Sequence, residues 1–120
     1  MVIEIIASIY CILIGIAIII MWILLIRRRE VPELNTQPTR IYFHLVSEFL
    51  TGIILIIGGI GLLINQTWGL AIFFLSLGMV IYSMINAAGY YGQLKEWPMF
   101  IMFIVFTIVS ALIATAVIFS

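Results

Sequence analysis

The sequence predicts an all-α fold, an integral membrane bundle of four antiparallel helices, and three observations carry that prediction. Of its 120 residues 66% are hydrophobic and only 8% are charged, whereas a soluble domain is about half apolar and about a quarter charged. Mean hydropathy is +1.37, which also excludes disorder, because disorder needs low hydrophobicity and high charge. Finally, the apolar residues fall into four mostly apolar windows, at 2–26, 42–64, 69–91 and 98–119. Each meets the about 20 residues that a helix needs to cross roughly 30 Å of hydrocarbon. Membrane strands are about 10 residues long and alternate in polarity, and these runs do neither.

The first span is closed by Arg27, Arg28 and Arg29. Because the charge follows the apolar run and no small-residue cleavage site is evident, the segment reads as a retained span and not a signal peptide. Pro38 suits the first turn leading into the second span, where a missing N–H costs nothing. Asn65 ends that span. Asn65-Gln66-Thr67 fits a glycosylation pattern, but so short a turn holds the asparagine against the membrane surface. Gly92 is expected to end the third span by taking positive φ, and Trp97-Pro98 to open the fourth. Trp22, Trp68 and Trp97 are expected at the interfaces, where aromatic belts sit.

The connectors 27–41, 65–68 and 92–97 are short, so successive helices are antiparallel neighbours in one domain spanning 1–120. All five basic residues, Arg27, Arg28, Arg29, Arg40 and Lys95, then share one face. The positive-inside rule makes loops 27–41 and 92–97 cytoplasmic and puts both termini outside, in a plasma (inner) membrane. Five basic residues balance five acidic ones, which leaves no electrostatic case for nucleic acid.

Ionisable groups within a bilayer are expensive, and each is a functional candidate. Glu4 lies in the first turn of span one, where water and the positive helix end both stabilise it. Glu48 lies about one turn inside span two, and His44, four residues earlier, shares its face. Span three returns toward the same surface, bringing Asn86 to the depth of Glu48 and Tyr90 to that of His44. The expectation is a two-layer polar cluster, Glu48 with Asn86 and His44 with Tyr90, with Ser47, Thr51 and Ser83 at its edges. Small residues form packing stripes beside it: Ser8, Cys11 and Gly15 on span one; Gly52 and Gly59 on span two; Ser76, Met79, Ser83 and Asn86 on span three; Thr107, Ser110 and Ala114 on span four.

Three roles for the cluster stay open. It can be a hydrogen-bonded packing element of a small membrane-embedded binding or accessory protein. It can be a protonation site in a homo-oligomeric proton-coupled transporter or channel, Glu48 carrying the proton beside His44. Or it can ligate metal or haem, in which case two ligands per chain fall short of a zinc site and a symmetric second copy would have to complete it. No cofactor is required by the first two. The partners expected are the lipid bilayer and a second copy or another membrane protein. An enzymatic role is not expected: Cys11 has no basic neighbour to favour its thiolate, no aspartate occurs in the chain, and no glycine-rich phosphate cradle is present.

Overall fold

The computed structural model describes residues 2–120, and four of its helices are long and apolar enough to cross a membrane. They are α1 (Val2–Arg27), α3 (Pro38–Leu63), α4 (Gly69–Gln93) and α5 (Trp97–Ile118); a single turn, α2 (Glu33–Thr36), sits in the first connector. At 1.5 Å per residue they are roughly 33–39 Å long. Among the described residues there is no strand. The bundle measures 46 × 25 × 19 Å, and its helices run up and down around a ring in the order α1, α3, α4, α5. One end carries the first and third connectors with every Arg and Lys, and is called the basic end below.

Local chemistry sets the helix ends. Pro38 takes the first turn of α3 and Pro98 that of α5, positions where the absent N–H is no loss. Three helices stop in the same way, on a non-glycine residue in the left-handed region: Arg29 after α1, Asn65 after α3 and Lys95 after α4, with φ of 56°, 58° and 59°. In each, the next residue's N–H reaches back five residues, Glu30 to Leu25, Gln66 to Gly61 and Glu96 to Tyr91, at 2.9–3.0 Å. This is the Schellman arrangement, which satisfies carbonyls otherwise left open at a helix end. The expectation that Gly92 supplies the positive φ is therefore corrected. Lys95 supplies it, and Gly92 stays inside α4, where the Phe100 ring approaches to within 3.2 Å of where a Cβ would stand.

Helix α3 is the centre of the packing because glycines edge it on two sides. Toward α1, a Cβ on Gly15 would stand 2.6 Å from the carbonyl oxygen of Gly52, and one on Gly59 would stand 2.9 Å from that of Ser8. Toward α4, Gly58 lies against the backbone of Phe73, Gly69 lies against the backbone of Gly61, and the Trp68 ring covers Gly61. Close backbone approach of this kind is how helices associate in lipid, where burying apolar surface gives no drive. Between these contacts lies a core of Ala7, Cys11, Leu55, Phe73, Leu77 and Val80, all nearly inaccessible. Helix α5 is joined to α4 by Tyr91, which stacks on Phe103 at 5.6 Å. It touches α1 at few places, chiefly Tyr10, whose hydroxyl lies 2.7 Å from that of Ser110. At the basic end Val31 folds back and is buried with Ile41 and Leu45.

Candidate functional site

The third turn of α3 places Glu48 inside the bundle, with 7% of its surface exposed. Its carboxylate is held by two other helices. The hydroxyl of Ser83 on α4 donates to Oε1 at 2.6 Å, and the indole N–H of Trp22 on α1 donates to Oε2 at 3.3 Å. His44, one turn earlier on α3, brings Nε2 to 3.9 Å from Oε1 and meets the Trp22 ring edge-on at 5.4 Å. Four side chains from three helices thus converge, and among the described residues His44 is the one ionisable partner within 4 Å of Glu48.

This differs from the cluster expected from the sequence. All four expected residues, His44, Glu48, Asn86 and Tyr90, line one cavity, but Asn86 does not bond Glu48 and Tyr90 does not bond His44; both are exposed at the rim, and Tyr90 packs on Tyr91. Helical phase decides the partner. Ser83 precedes Asn86 by three residues, or about 60° of rotation, and it is Ser83 that turns toward α3. Ser47 and Thr51 are taken up by their own helix, donating to the carbonyls of Phe43 and Ser47. Trp22, expected as an interfacial anchor, turns inward instead. Nothing in the sequence separates an inward from an outward tryptophan at a span end; the one clue is that its depth matches that of His44.

Glu48 is the floor of a cavity of about 670 Å³ that occupies the basic-end half of the bundle. Aromatic side chains wall it, among them Trp22, Tyr90, Tyr91 and Phe103. A second space, a groove of about 730 Å³, lies between α3 and α4 on the outside of the bundle and reaches Glu48 and Ser83 from that side. Its walls are mostly apolar, with Phe43, Phe74, Leu75, Gly78 and Met79 along it. Both volumes fall in the range of about 300–1,000 Å³ typical of small-molecule sites. The topology residues Arg27, Arg28, Arg29 and Lys95 line neither space, whereas Arg40 lines the cavity.

As for metal or haem, no three of His, Cys, Asp and Glu come together among the described residues. His44 and Glu48 would supply two ligands, and a site would need the rest from a second copy. Cys11 is buried in the core, away from this cluster.

Residues 1–120 match a family described as a domain of unknown function (DUF8058). No curated protein and no solved structure matches the chain.

Proposed function

We propose that this chain, which belongs to the DUF8058 family, is a small integral membrane protein that binds a ligand in its basic-end cavity. One observation carries the reading: a buried carboxylate, Glu48, forms the floor of an aromatic-walled cavity and is held there by neutral donors from two other helices. A carboxyl group in a bilayer is costly, and packing alone is served by cheaper residues. The same hydrogen bonds also keep α1, α3 and α4 in register, so the anchor is rigid before a ligand arrives. The basic end faces the cytoplasm by the positive-inside rule, with both helix-bundle termini on the other side.

Native mass spectrometry of the protein released from lipid nanodiscs tests this. A stoichiometric small molecule on the wild type, lost in Glu48→Gln, is the expected result; a bare wild-type protein that changes nothing on mutation refutes it. Cysteines placed at Arg28 and at Gln66, in a Cys11→Ala background, test the orientation. They are expected to label from opposite sides, the Gln66 position from outside.

A second reading has its own support, namely that Glu48 and Ser83 line both the cavity and the outer groove. A carboxyl group reached from two sides suits a homo-oligomeric proton-coupled transporter or channel. Flux in liposomes that disappears in Glu48→Gln favours it, and flux that persists unchanged in that variant removes its named residue.

A further inference from the structure

Charge is sorted at the basic end. Of the chain's five carboxylates, four line the cavity: Glu30, Glu33 and Glu96 toward its mouth and Glu48 at its floor. Of the five Arg and Lys residues only Arg40 does so. The end of the molecule that is basic overall therefore contains a recess in which four carboxylates face one arginine, and a recess where one sign of charge predominates concentrates the opposite one. Its aromatic walls add ring faces, which attract cations.

The outer groove has the complementary character. From Leu75 to Ser83 it follows α4 for roughly 12 Å, with apolar walls and its polar end at Glu48. Toward the other end of the bundle it is closed, because Gly58 packs directly on the backbone of Phe73. Midway along it stands Gly78, beside which no atom lies within 4 Å of where a Cβ would be. The partition between groove and cavity is made by His44, Glu48, Tyr82, Ser83 and Asn86, which line both spaces, and the Glu48–Ser83 hydrogen bond closes it between α3 and α4.

We infer that cavity and groove are one site for a single-chain organic cation, an alkylammonium amphiphile, with its head in the cavity at Glu48 and its tail in the α3–α4 groove. The inference rests on the reading of the cavity as a binding site. An ammonium N–H takes the place of the Ser83 hydroxyl as donor to Oε1, and the tail replaces lipid in the groove. A ligand of this kind enters from the bilayer, through the gap that the partition closes, and not through the mouth.

The test is photolabelling of the full chain in phosphatidylcholine nanodiscs with a diazirine-bearing dodecylammonium, mapped by peptide mass spectrometry. Saturable labelling of residues 43–51 and 74–86 is expected, competed by dodecylammonium but not by dodecyl sulfate or dodecanol. Glu48→Gln is expected to weaken it about ten- to a hundredfold, the usual worth of one charge-assisted hydrogen bond. A Cβ at Gly78 meets nothing, so Gly78→Leu places its side chain in the open groove and is expected to abolish the saturable labelling, with far-UV circular dichroism showing that the fold is kept. Labelling spread evenly over the outward faces of α1 and α5 overturns the inference, as does equal competition by dodecyl sulfate or undiminished labelling in Gly78→Leu. If the label finds no saturable site while native mass spectrometry still shows a ligand that depends on Glu48, the cavity binds something else and only the cation assignment falls. If neither method finds a ligand, both readings fall.

Discussion

Replacing Gly15 and, separately, Gly78 by alanine adds the same methyl group to two helices in opposite surroundings. On Gly15 the new Cβ stands 2.6 Å from the carbonyl oxygen of Gly52, about 0.8 Å short of ordinary contact, which begins at 3.4 Å. The obstacle is backbone, so α1 and α3 must part. If the crossing engages roughly 30 atom pairs at about 0.1–0.2 kcal/mol each, a gap of this size forfeits a quarter to a half of that attraction, about 1–2 kcal/mol. On Gly78 the Cβ meets nothing. Both changes share the gain of alanine over glycine in a helix, about 0.5–1 kcal/mol, and it cancels when the two variants are compared. Gly78→Ala is therefore expected to be the more stable by about 1–2 kcal/mol. Reversible unfolding in mixed micelles, followed by far-UV circular dichroism, measures the difference. Equal stabilities of the two variants would refute the backbone-to-backbone meeting of α1 and α3.

Three further outcomes follow from the same geometry. Ser83→Ala removes a donor to Glu48 and is expected to cost about 0.6–2 kcal/mol, whereas Asn86→Ala at the rim is expected to change stability by less than about 0.5 kcal/mol; the reverse order would restore the Glu48–Asn86 pairing. Tyr10→Phe and Ser110→Ala are each expected to lose the 2.7 Å hydrogen bond between α1 and α5, and a double-mutant cycle is expected to show coupling of about 0.6–1.7 kcal/mol; additive effects would count against that contact. Lys95→Gly is expected to raise stability by about 0.5–1 kcal/mol, because glycine occupies a φ of 59° without the strain of a side chain, and a loss would mean that the lysine side chain matters at that cap.

Span number and position are legible in the sequence because length and hydropathy decide them. The observed helices begin or end within four residues of the expected bounds, the largest difference being α3, which starts at Pro38 and not near Tyr42. The buried stripe Ser8, Cys11 and Gly15 on α1 is also legible, small residues being what close packing needs. The polar partners are not. In α4, Ser76, Ser83 and Asn86 offer polar groups at neighbouring phases, and choosing among them requires the rotation of the helix. Apolar residues cover every side of α4 and so give no inward direction. Ser76 is spent on its own helix, donating to the Phe73 carbonyl. Gly78 shows the same limit from the other side, since a glycine that permits contact and one that borders open space are identical in sequence.

The ring of helices is unequal in stiffness. Helix α3 is fastened to both neighbours through backbone, while α1 and α5 share a seam held mainly at Tyr10 and Ser110 and at the pole opposite the basic end, where the Ser120 hydroxyl donates to Glu4 at 2.8 Å. A shear applied to the bundle by a thicker or more crowded bilayer is therefore taken up along that seam first. The other three helix contacts are extensive, and the α1–α5 seam is the one compliant line of the ring, pinned toward the pole opposite the basic end. Its unpinned stretch borders the recess between Ile18 of α1 and Phe103 of α5, so in a bilayer the surrounding lipid would become a mechanical input to the shape of the chamber.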